Sequence, residues 1–99
     1  MPEHPLQVFD QLDPELRKAV EDLRVLAFGD GVIPKKYKIL IAMALDAAHG
    51  AGDGVRGLTN QAMQAGATKE EIAETLRVAL FISGVGSTYT AGPALSSLF

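Results

Sequence analysis

The sequence predicts an all-α domain of about five to six helices. Three observations carry that reading. Helix-start signals recur along the chain, at Asp13-Pro14 and at Thr68 followed by Glu71. Glycines punctuate the apolar segments at Gly29 to Gly31, Gly50 to Gly54, Gly66, and Gly84 to Gly86. No stretch alternates apolar and polar residues as a half-buried strand does. The 99 residues favour one domain, placed at 13–99, with residues 1–12 as an N-terminal arm.

The first helix opens at "DPEL". Asp13 suits the cap, Pro14 the first helical position, and Glu15 the positive helix end. Leu16, Val20, Leu23 and Ala27 mark one face, and "GDG" at Gly29 to Gly31 ends the helix. The second helix begins at Pro34 and carries Lys35, Lys36 and Lys38 in its early turns, where the dipole disfavours cations. Its middle, "ILIAMAL" from Ile39 to Leu45, is apolar almost all round, which predicts cover on several sides. Tyr37, Leu40, Ala44 and Ala48 share a stripe, with Ile41 and Leu45 beside it.

"GAGDG" breaks this helix near Gly50. Asp53 is the expected cap of a third helix running to Ala65, with Val55, Leu58, Ala62 and Ala65 inward and Gly66 past its end. Thr68 and Glu71 form a capping box for the fourth helix, whose inward face is Ile72, Leu76, Ala79, Leu80 and Ser83. "SGVGS" interrupts it, and a last helix covers Thr88 to Leu98, with Pro93 near its start or at a kink.

Composition excludes several function classes. The formal charge of −3 argues against a nucleic-acid partner, which calls for a basic stripe. No apolar run reaches the roughly 18 residues of a bilayer span, so no membrane partner is expected. No signal peptide is apparent, and the expected address is cytoplasmic. Without cysteine there is no disulfide, thiolate nucleophile or thiolate metal ligand. "GDGVRG" lacks the lysine of a phosphate loop, "HGAGDG" lacks the ligand density of a calcium loop, and His49 has no histidine four residues away. No metal and no cofactor is therefore expected.

The joint "DAAHGAGDGVRG" holds the candidate chemistry. His49 can serve as a base, the role imidazole commonly takes in proton transfer, with Asp46 three residues earlier to orient its ring. Arg56 can grip a carboxylate through paired hydrogen bonds. Lys38 is a second candidate anchor, and Tyr37 a candidate pocket wall. Each also has a structural reading. His49 sits where a helix C-terminus attracts it, Asp53 can cap and pair with Arg56, Tyr37 can pack, and Lys38 belongs to a solvated helix end.

The segment "NQAMQAGATKEEIAETLRVALFISGVGS", Asn60 to Ser87, followed by an alanine- and proline-containing helix, resembles the carboxymuconolactone decarboxylase family, which includes the alkylhydroperoxidase D-like proteins. The resemblance covers residues 14–98 in helix order and is sharpest over Ala62 to Gly86. It implies an all-helical fold and a homo-oligomer, trimer or hexamer. Family activities include decarboxylation of a muconolactone acid and disulfide-based peroxide or reductase chemistry. The redox branch carries C-x-x-C-x-x-x-H ahead of the A-x-x-x-G turn, here Ala62 to Gly66. Aligned on that turn, the two cysteine positions fall on Ala51 and Gly54, the histidine on Leu58, and a preceding glutamate near Ile39. Self-contained thiol chemistry is thereby excluded. Two functions remain: a decarboxylase or isomerase for a small organic acid, or a non-enzymatic ligand-binding or structural homo-oligomer on the same scaffold.

Overall fold

The computed structural model describes residues 4–99. Six helices follow one another: α1 (Phe9–Leu12), α2 (Pro14–Phe28), α3 (Lys35–Ala48), α4 (Gly52–Gln64), α5 (Lys69–Ser83) and α6 (Gly86–Leu95). No strand occurs among the described residues. The arm thus contains one short helical turn, α1, which packs on α2.

Capping chemistry sets the starts of α2 and α5 and the end of α4. The Asp13 carboxylate accepts the Leu16 N–H at 3.1 Å, and Pro14 follows it. At the start of α5 the capping box is complete. Thr68 Oγ1 accepts the Glu71 N–H at 3.1 Å, and the Glu71 carboxylate accepts the Thr68 N–H at 2.8 Å. The same carboxylate binds Lys36 Nζ at 3.1 Å and so ties the start of α3 to the start of α5. The Thr68 N–H and then the Lys36 ammonium hold the Glu71 carboxyl below its ordinary range. The Glu71 carboxylate in turn raises Lys36. At the end of α4, Gly66 has φ +101, and the N–H groups of Gly66 and Ala67 return to the carbonyls of Met63 and Ala62. This is the glycine-terminated double bond of a Schellman end.

Two helix starts differ from expectation, and α6 ends at Leu95 rather than Leu98. Helix α4 begins at Gly52, so Asp53 stands in its first turn and makes no cap; Ala51 occupies the cap position without a side-chain bond. Gly50, at φ +79, reverses the chain early enough for the helix to start there. Helix α6 begins at Gly86 because Gly84, at φ +90, completes the break within two residues of α5; Pro93 lies inside α6.

The core lies where α3, α4, α5 and α6 meet. Met43 and Val55 are fully enclosed at its centre, with Ile39, Leu40, Ala62 and Ile72 around them. Thr59 is also fully enclosed, and its hydroxyl has no hydrogen-bond partner. Small residues at Ala47, Ala62, Ala91 and Ala94 let the helices approach closely.

The apolar faces are rotated from those the spacing predicts. Helix α3 buries Ile39, Leu40, Met43 and Ala47 and leaves Tyr37, Ile41, Leu45 and Ala48 exposed. Helix α4 buries Thr59 and leaves Ala65 exposed, while Leu80 of α5 stays exposed. Helix α2 buries no residue at all; Leu16, Val20, Leu23 and Ala27 stay exposed. A helix that is apolar on several sides offers more than one burial solution, and the neighbours select among them.

Candidate functional site

Four residues of α2, Arg17, Glu21, Arg24 and Phe28, recur at i, i+4, i+7 and i+11 and therefore share a stripe. This stripe, rather than the apolar one beside it, faces the rest of the molecule. It forms one wall of a cavity of about 550 Å³. Lys35 and Ile39 of α3 form a second wall, Leu58 and Gln61 of α4 a third, and His4 of the arm reaches its edge.

The cavity has an apolar floor and a cationic rim. Phe28, Ile39 and Leu58 supply the floor. Arg17, Arg24 and Lys35 face it with one carboxylate, Glu21, among them. Arg24 Nε binds Glu21 at 3.3 Å, and Arg17 Nη1 binds Asp10 of α1 at 2.6 Å. Lys35 makes no ion pair among the described residues and is the first residue of α3, where the helix dipole adds positive potential. Gln61 brings an amide that both donates and accepts. The His4 Nδ1 accepts the Leu6 N–H at 3.1 Å, so a neutral ring carries its proton on Nε2 and can donate it. An anion with an apolar body matches this lining.

The residues singled out in the sequence lie elsewhere. His49 ends α3, is exposed, and makes no side-chain hydrogen bond among the described residues. Asp46 does not bond to it. Its carboxylate lies against the backbone of α4, so close that a Cβ built on Gly54 would stand 2.0 Å from Oδ2 and 2.9 Å from Cγ. There the negative charge meets the positive end of α4. Arg56 pairs with Asp53 at 3.0 Å on the surface of the same turn. Lys38 donates to the Gly29 carbonyl at 2.7 Å and fastens the end of α2 to α3. Tyr37 lies beneath the Lys36 ammonium, 4.8 Å from the ring centre, and lines an apolar groove between α3 and α5. Asp46, His49 and Arg56 thus share the α3–α4 joint, while Tyr37 and Lys38 face other parts of the surface.

The cavity nevertheless coincides with positions that the resemblance marks. Ile39 and Leu58, which stand where redox relatives carry a glutamate and a histidine, line it together. Gly54 lies one turn before Leu58 on the same helix face, and Asp46 fills the space that a side chain there requires. The cationic rim was missed in the sequence. Its one signal is the helical spacing of Arg17, Glu21, Arg24 and Phe28, which the apolar stripe beside it overshadows. Among the described residues no three His, Asp or Glu side chains gather as metal ligands. None of the described helices is long and apolar enough to cross a membrane.

Comparison with known proteins adds two matches. The model of the carboxymuconolactone decarboxylase family matches residues 14–96. An uncharacterized protein of Cupriavidus necator is 34% identical over 86 residues, which span 87% of this chain and 76% of that protein. No solved structure matches the chain.

Proposed function

The chain belongs to the carboxymuconolactone decarboxylase family, and from that premise we propose that it binds a small organic acid in the cavity between α2, α3 and α4 and decarboxylates or isomerises it without thiol chemistry. One observation carries this reading: Arg17, Arg24 and Lys35 converge over the floor of Phe28, Ile39 and Leu58. The cations neutralise a carboxylate, the floor takes the carbon skeleton, and Gln61 orients a carbonyl or lactone oxygen. Either reaction moves a proton at carbon, and His4 is the donor in reach of this cavity. The joint of His49, Asp46 and Arg56 is the competing location for the same chemistry.

Calorimetric titration with acetoacetate, succinate and a γ-butyrolactone carboxylate tests the reading. Each cation is partly solvated and contributes about 1 kcal/mol, so Arg24→Ala and Lys35→Ala each weaken binding about fivefold. Arg56→Ala leaves binding unchanged. Failure of the wild-type chain to bind any of the three acids more tightly than about 10 mM rejects the proposal. Where an acid is turned over, loss of turnover in His4→Ala but not in His49→Ala assigns the donor; the reverse moves the chemistry to the joint. Binding without turnover supports the second reading, a ligand-binding homo-oligomer, which the extensive uncovered apolar surface favours.

A further inference from the structure

The three cations on the cavity rim are not equally free to meet an anion. Arg17 Nη1 lies 2.6 Å from the carboxylate of Asp10, and Arg24 Nε lies 3.3 Å from that of Glu21, which itself lines the cavity. Lys35 alone has no carboxylate partner among the described residues. Three cations against two carboxylates leave one positive charge. His4 adds none while its Nδ1 accepts the Leu6 N–H. The other lysines of α3 line a different surface: Lys36 is held by Glu71 at 3.1 Å and Lys38 by the Gly29 carbonyl at 2.7 Å. The cavity also continues past Lys35. A recess of about 430 Å³ between α3 and α4 shares Lys35, Ile39 and Gln61 with it and adds Gln64 and Ala65. Gln61 and Gln64 are three residues apart on α4, so they stand on one face, about 4.5 Å apart along the axis. Lys35, at the junction, is the one charged side chain among the residues that line the recess.

We infer that the cavity selects acids with a single carboxylate and an uncharged polar end over dicarboxylates, and that Glu21 and Asp10 set this preference. The inference rests on the acid-binding function proposed above. A carboxylate held at Lys35 has the amide-lined recess on one side and the Arg24–Glu21 pair on the other. A second carboxylate finds no free cation in either direction, and toward α2 it meets the like charge of Glu21. An anion that leaves water without a counter-charge pays heavily. A carbonyl, hydroxyl or amide at the same place is satisfied by Gln61 and Gln64, whose amides both donate and accept. Glu21 acts on the ligand directly, from the cavity wall. Asp10 is a positioning residue that acts through Arg17: it occupies one guanidinium donor and offsets its charge.

Glutarate and its monoamide, 4-carbamoylbutanoate, test the inference, because they differ only by an amide of nearly equal size in place of one carboxylate. Both are titrated calorimetrically into the full chain at about pH 8, where both carboxylates of glutarate are ionised. The wild-type chain binds the monoamide at least about fivefold more tightly. Glu21→Gln and Asp10→Asn keep the side-chain shape, remove one negative charge each, and each shrink that ratio about threefold. The double variant brings the ratio to one or below. Circular dichroism checks that the variants keep their helices; Asn at position 10 retains an oxygen for Arg17. Glutarate bound by the wild-type chain as tightly as its monoamide overturns the inference and leaves the acid-binding function standing, as does a ratio unchanged in the double variant. Binding of neither ligand also overturns it, while the acid-binding function is judged separately by its own three acids.

Discussion

Replacing Gly54 by alanine tests how α3 and α4 are joined and why a thiol side chain has no room there. Within a helix, glycine to alanine ordinarily stabilises by about 0.5–1 kcal/mol. Here the new Cβ would stand 2.0 Å from Asp46 Oδ2, 2.9 Å from Cγ and 3.5 Å from Cβ. Rotating the carboxyl tip alone is not enough, because Cγ is also too close. The Asp46 side chain must leave its place at the positive end of α4, losing about 0.5 kcal/mol of dipole interaction, and the crowding costs about 1–3 kcal/mol. The net expectation for Gly54→Ala is destabilisation by about 1–2 kcal/mol. With Asp46→Ala already in place the obstruction is gone, and the same substitution stabilises by about 0.5–1 kcal/mol. The sign inverts, and the coupling energy is about 2 kcal/mol. Urea unfolding of the four chains, followed by circular dichroism at a single protein concentration, measures it. A Gly54→Ala chain more stable than wild type, or equal effects in both backgrounds, refutes the packing argument. A chain that passes the test also requires a change at Asp46 before cysteines at 51 and 54 can be accommodated.

Two further outcomes follow from the interior and from the α3–α5 tie. Thr59→Val replaces an enclosed, unpartnered hydroxyl with a methyl of similar size and raises stability by about 1–2 kcal/mol, read as a shift to higher urea midpoint; destabilisation of that size reveals a polar partner for Oγ1. Glu71 has its carboxyl lowered from 4.5 in the folded chain, so its contribution is fully present above that value and is lost as pH falls through the lower, folded value. Glu71→Gln is therefore less stable than wild type at neutral pH and converges on it under acid; a stability gap that persists unchanged into acid contradicts the assignment.

The helices, most of their ends and the family were legible in the sequence because they rest on local chemistry. Asp13-Pro14, the Thr68–Glu71 box and Gly66 each act within one turn of the backbone. The absent thiols follow from composition alone. The expected cap at Asp53 failed because the start of α4 is decided by an earlier reversal at Gly50, and the neighbouring anion is Asp46 from another helix.

The cavity needed three dimensions. Arg17, Lys35 and Leu58 stand far apart along the chain, and only the packing of α2, α3 and α4 gathers them. The same packing decides which side of an over-apolar helix is core. Spacing shows that Ile39 to Leu45 cannot be solvated all round, and it supplies the apolar content of α2. The tertiary structure turns Ile39, Leu40 and Met43 inward, Ile41 and Leu45 outward, and the charged stripe of α2 toward the cavity. The physical reason is that backbone hydrogen bonds and caps are satisfied within a turn or two, whereas the side that a helix buries is set by contacts with neighbours distant in sequence.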